Sequence, residues 1–213
     1  MANEVAKQKK FEITNKYDTN DMMDMVSGEF LSNVKLFVSE SPEVKESKIP
    51  MNHYGIKNGE AVTDLGEKID VLVLQWRYKA LDMNDPIVQN YDKDSDTFKQ
   101  IKEKSFIKDS KCVFGIEFLL WVPTQKIFAA LYLNGKSSRK VAPTIAKDLG
   151  KWVTLGSVLC KNKEHTWFTN TCVPCSTPGE FPPEDKFQEE LKKFQNPEDS
   201  SVEKSEKKDE RER

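Results

Sequence analysis

The stretch "FLLWVPTQKIFAALYL", Phe118 to Leu133, sets two apolar runs on either side of a short polar turn. Side chains in a strand alternate between two faces, so Ile127, Ala129, Leu131 and Leu133 share one face, while Phe128, Ala130 and Tyr132 share the other. The same parity sends Trp121 away from Phe114, Ile116, Phe118 and Leu120. The "VPTQK" between the runs is short enough to join them as a hairpin. One face of that hairpin is a natural core, and the other presents Trp121, Phe128 and Tyr132. Trp152 follows the same rule, pointing away from Val153, Leu155 and Leu159. Either these aromatics form a binding surface or a helix or loop covers them.

Outward from the hairpin, period-two patterning predicts strands over 30–39, 69–78, 114–122, 127–133, 152–159 and 166–173. Two segments read as helical. One is "SDTFKQIKEKSF", and the other is "SSRKVAPTIAKDLG", where Ser137 or Ser138 could cap, Pro143 sits early and Gly150 can end the helix. Strand, turn, strand, helix and two more strands is the order of an OB-like antiparallel barrel, so the expected class is mainly β with one or two short helices. The chain of 213 residues divides into a flexible N-terminal arm (1–25), one β-domain (26–178) and a charged C-terminal tail (179–213). Within that tail Phe187, Leu191 and Phe194 are spaced for a short amphipathic helix, and the remainder reads as disordered.

Apolar runs fall short of the ~18–20 residues that span a bilayer, and the opening "MANEVAKQKK" lacks the apolar core of a signal peptide. A cytoplasmic protein with four reduced cysteines is therefore expected. Charge is unevenly spread. Residues 111–175 carry nine Lys or Arg against Glu117, Asp148 and Glu164, a net +6, which leaves −8 for the rest of a chain whose formal charge is −2. Basic residues interleaved with rings suit unpaired nucleic acid, because each phosphate needs a cation and each base offers a face to stack on. The expected contacts are Trp76, Arg77, Lys79, Trp121, Lys126, Phe128, Tyr132, Lys136, Arg139, Lys140, Lys151, Trp152, Lys161, Lys163 and Trp167. In "WRYKALD" the cations Arg77 and Lys79 alternate with Trp76 and Tyr78, as at a groove rim.

Other chemistry is less well supported. Gly135-Lys136-Ser137 imitates the end of a phosphate loop, but the first glycine of that motif would fall at Ala130, inside a strand. Asp92, Asp94, Asp96 and Glu103 have calcium-loop spacing, yet Thr97 stands where the sharp turn needs glycine. Cys160, His165, Cys172 and Cys175 could form a tetrahedral zinc site, although Cys160 and His165 sit at opposite ends of a turn. Cys172 and Cys175 close a strand instead of opening a helix, which is wrong for a redox pair. Structural thiols are the preferred reading, and no metal or other cofactor is expected. With His53 and His165 the sole histidines and no nucleophile motif beside them, a non-catalytic protein is expected.

The core, "IDVLVLQWRYKALD" through "GIEFLLWVPTQKIFAALYLNGKSSRKVAPTIAKDLGKWVTLGSVLCKNKEHTWFTNTCVPC", resembles proteins encoded by tailed bacteriophages and is similar to their OB-fold single-stranded-DNA-binding proteins. The resemblance spans residues 65–178 and implies single-stranded DNA as the partner, in phage replication or recombination; replication or recombination proteins and a homo-oligomer are further partners to be expected. Many such proteins end in a purely acidic tail with an apolar tip that recruits replication partners; this tail departs from that pattern, because it alternates Glu, Lys and Arg and ends "ERER". The alternative is a protein-interaction or accessory module that binds no nucleic acid.

Overall fold

The computed structural model describes residues 31–195, apart from positions 39, 40, 47, 59, 60, 85, 86, 164 and 165 and the side chains of Asn58 and Ser137. The expected arm at 1–25 and the tail beyond 195 lie outside the described residues, as does His165. The chain is mainly β. Strands β1 (Ser32–Leu36), β2 (Tyr54–Asn58), β3 (Ala61–Gly66), β4 (Ile69–Asp82), β6 (Cys112–Val122), β7 (Ile127–Leu133), β8 (Trp152–Lys161) and β9 (Thr166–Pro174) form one sheet in the order β3-β2-β1-β7-β6-β4-β8-β9. A short strand β5 (Val88–Asn90) pairs with the end of β4. The sheet is open, with β3 and β9 at its ends, so the closed barrel expected from the sequence does not form. Nor is the pairing wholly antiparallel, since β1 runs parallel to β7.

The hairpin of β6 and β7 has the expected register, with Trp121 opposite Phe128 and Glu117 opposite Tyr132. Strand β4 pairs with β6 along most of its length and with β8 at its start. Its register against β6 shifts between Val73 and Gln75, leaving Leu74 as the extra residue of a β-bulge. A bulge reverses parity along the strand. Leu72 and Leu74 therefore share a face with the later Arg77 and Lys79, which simple alternation separates.

One face of the sheet encloses the main core, in which Val34, Tyr54, Ile56, Val71, Phe118, Leu131 and Leu155 are buried. The sheet curls around this core until its ends approach. Tyr54 Oη lies 2.7 Å from the Gly156 carbonyl and 2.8 Å from Asn170 Oδ1, and Phe168 N–H donates to the Val38 carbonyl at 3.4 Å.

Helix α1 (Pro42–Lys45) follows β1, and α2 (Asp96–Lys104) packs Phe98 and Ile101 beside Ala80 and Cys112. Ser95 caps α2, accepting from Phe98 N–H. Asp92 and Asp94 thus belong to a turn, and Asp96 opens an ordinary capped helix. The single helix expected after β7 is two pieces, α3 (Lys136–Arg139) and α4 (Ala142–Ala146). Pro143 has no N–H to donate to the carbonyl of Arg139, so a continuous helix cannot form there. Gly150, at φ +72°, turns the chain into β8. Last comes α5 (Glu184–Gln195), with the expected stripe of Phe187, Leu191 and Phe194 turned inward. No helix among the described residues is long and apolar enough to cross a membrane.

Candidate nucleic-acid interface

The expected aromatic surface exists as a row across the sheet. Trp152 lies opposite Leu72, Leu72 opposite Trp121, and Trp121 opposite Phe128. This row is not open to solvent, because α5 lies over it. Trp121 is 3% exposed and Trp152 7%, and both pack with Leu72, Leu74, Leu119, Phe187 and Phe194 in a second apolar cluster, with Phe128 and Leu191 partly buried beside it. Trp121 Nε1 donates to the Glu180 carbonyl at 2.8 Å, and the Phe181 ring meets Trp152 edge-on at 5.6 Å. Each fully buried phenylalanine of α5 contributes about 1.5–3 kcal/mol. The surface therefore belongs to the protein's own C-terminal segment.

Arg77 and Lys79 are likewise committed. Glu117, 3% exposed at its side chain, receives Arg77 at 2.6 Å and Lys79 at 2.6 Å. Burial alone would push the Glu117 carboxyl up, but the two cations outweigh it and hold it below the ordinary carboxylate range. The Arg77 guanidinium also stacks 3.9 Å from the Tyr91 ring and 4.1 Å from that of Phe194. Tyr132 donates to the Lys79 carbonyl at 3.1 Å, and burial, then Glu117, push its phenol up. Trp76 faces the main core and meets Tyr78 edge-on. Arg139 lies over the Phe114 ring and donates to the carbonyls of Phe114 and Asn134. Lys126 is exposed near Glu180, and exposed Lys151 pairs with Asp148.

A different subset of the expected residues converges. An open groove of about 510 Å³ lies between the α3–α4 segment and the outer edge of β9, lined by Lys140, Thr144, Cys160, Trp167, Thr169, Thr171 and their neighbours. Trp167 is half-buried, and Lys140 is exposed on the opposite wall. Lys161 and Lys163 are exposed at the tip of the β8–β9 hairpin, and Lys136 is exposed at the start of α3. Because Phe168 N–H points outward to Val38, the backbone groups of Asn170 and Cys172, two and four residues on, point to the same outer edge. Asn170 is buried, and its amide lies 3.4 Å from Ser138 Oγ, tying β9 to α3. The groove thus offers one ring, a cation on its wall, the hydroxyls of Thr144 and Thr171 and two further cations on the hairpin tip, the Thr169 hydroxyl being buried. That set can stack a base, pair phosphates and take hydrogen bonds from or to a sugar.

The cysteines do not gather. Cys160 and Cys172 are on opposite faces of the β8–β9 hairpin, with Cys172 paired to Leu155, five positions along β8 from Cys160, or about 17 Å. Cys172 packs against the main core and Cys175 against the second cluster. Burial, then Asp148, push the Cys172 thiol up to about 11. Among the described residues no group of three or more His, Cys, Asp and Glu is placed to hold a metal ion.

Local patterning does not name the occupant of the aromatic face or the partners of Arg77. The signals were present: an apolar stripe at Phe187, Leu191 and Phe194 needs a surface to bury, and a lone Glu117 within "GIEFLLW" needs a buried partner. No family model, curated protein or solved structure matches the chain.

Proposed function

We propose that this chain is a non-catalytic single-stranded-DNA-binding protein. The observation that carries the reading is the groove beside β9, where half-buried Trp167 faces Lys140 and the hairpin adds Lys161 and Lys163. Stacking on a ring is sequence-tolerant, and lysines on a mobile stem suit a flexible phosphate backbone. The order of the long bulged β4, the β6–β7 hairpin, α3–α4 and the β8–β9 hairpin is OB-like in outline, which agrees with this use. Binding releases counterions, so affinity falls as salt rises. Fluorescence anisotropy of labelled oligo-dT, beside matched duplex and RNA at low and moderate salt, tests the reading. Preferential, salt-sensitive binding to the single strand supports it, and no binding at low salt removes it.

A protein-interaction module is the second reading. It is favoured by Phe106 and Ile107 at the end of α2, which are 69% and 65% exposed. A defined host-protein complex with no DNA binding would select it.

A further inference from the structure

The face that carries Trp167 continues beyond the groove. Cross-strand register puts Trp167, Thr169, Thr171 and Val173 on the same side of the sheet as Cys160, Val158, Gly156 and Thr154, and the next residue of β8 on that side is Trp152. Trp152 begins the row that runs through Leu72 and Trp121 to Phe128. Along this path Val158 and Val173 are exposed, whereas from Trp152 onward the face is covered by residues 175–195.

The cover is of a different kind from the sheet. Between β9 and α5 the chain has no regular structure and holds Pro178, Pro182 and Pro183. Helix α5 sets Glu184, Asp185, Glu189 and Glu190 against Lys186, Lys192 and Lys193, a net −1, with Lys193 paired to Glu189 and Glu190, so unlike the lysine-lined groove it offers no surplus cation to a phosphate backbone. Its fit over the row is also incomplete. The Trp121 indole N–H finds the Glu180 carbonyl, but the Trp152 indole N–H is buried with no hydrogen-bond partner among the described residues.

We infer that the covered row is a second part of the same DNA-binding surface, closed by residues 175–195 in the free protein and opened when a single strand long enough to pass Trp167 displaces α5. This rests on the proposed reading of the groove. A short strand fills the groove alone and leaves the cover in place. A longer one gains the rings of Trp152, Trp121 and Phe128 in exchange for the contacts of α5. Occupancy of the second part therefore switches with strand length.

Hydrogen exchange on the full chain tests this, using oligo-dT of about 6 and about 25 nucleotides at low salt, lengths chosen to lie within and beyond one stacking site. The short oligomer should protect the β8–β9 hairpin and leave α5 unchanged, while the long one should speed exchange at 184–195 by about tenfold or more. Long oligomer bound with α5 protection unchanged or raised overturns the inference and leaves the groove reading standing. A second measurement compares wild type with the Phe187→Ala, Phe194→Ala double variant. The long oligomer alone should bind at least about tenfold tighter; equal affinity for it overturns the inference. Binding of the long oligomer by the variant alone supports the second part and removes the groove. Failure of both proteins to bind either oligomer overturns both.

Discussion

Arg77 closes the end of α5: its guanidinium lies 4.1 Å from the Phe194 ring centre, and its Nη1 donates to the Phe194 carbonyl at 2.6 Å. The last carbonyls of a helix lack intrahelical partners, and a cation beside them also complements the helix dipole. Glu117 fixes the guanidinium from the sheet side, and Tyr91 packs on it from another direction. One residue of β4 thus joins the buried ion cluster to the C-terminal helix.

Glu117→Gln should destabilise the fold by about 3–5 kcal/mol, because it leaves Arg77 and Lys79 buried without their counter-charge. Urea unfolding measures the loss. The folded-state pKa of Glu117 lies below its unfolded value, so its stabilisation is complete above about pH 4.3 and disappears as pH falls through the folded value. The variant should lack that acid-side component, and an identical acid profile would contradict the ion cluster.

Phe194→Ala should remove about 3–5 kcal/mol, and Leu191→Ala, at a half-buried position, distinctly less. The Phe194 variant should also change the near-ultraviolet signal of Trp121, whose indole lies in the same cluster. Equal, small losses in thermal or denaturant unfolding would mean that α5 does not hold the face it covers.

Trp167→Ala should weaken oligo-dT binding by about 1–3 kcal/mol with little change in melting temperature, since the ring is half-buried at the sheet edge. Lys140→Ala should lower the slope of log affinity against log salt by about one. Trp76→Ala, which faces the core, should reduce stability in preference to intrinsic affinity.

Gly115→Ala should cost about 1–3 kcal/mol or more, by forcing strands apart. A Cβ at that position would sit 2.2 Å from the Leu133 carbonyl oxygen and 2.8 Å from Asn134 Cα, both of them backbone atoms that cannot rotate away. Denaturant titration of the variant against wild type reads the difference, and an unchanged midpoint would refute the close approach.

Much of the fold is legible locally. The β6–β7 hairpin, the strand 127–133, the helix beginning at Asp96 and the inward stripe of α5 all follow from periodicity and capping chemistry carried within each segment. Strands β2, β3 and β5 are not legible in the same way: "YGIKN", "AVTDLG" and "VQN" are short or mixed in polarity, and they are strands because neighbours supply their hydrogen bonds. The Leu74 bulge is likewise invisible, because nothing in "VLVLQWRYK" marks where the alternation slips.

Sequence alone determined which residues share a face of β6, β7 and β8, because side-chain alternation is a property of each strand by itself. It also placed the aromatics of the second face on the side away from the core. Only the tertiary structure decided that this face would be filled by Phe187 and Phe194, that Arg77 and Lys79 would be spent on Glu117, and that Trp167 and Lys140 would be left facing a groove. Those outcomes depend on which distant segment reaches a surface first and covers it, and no local pattern encodes that.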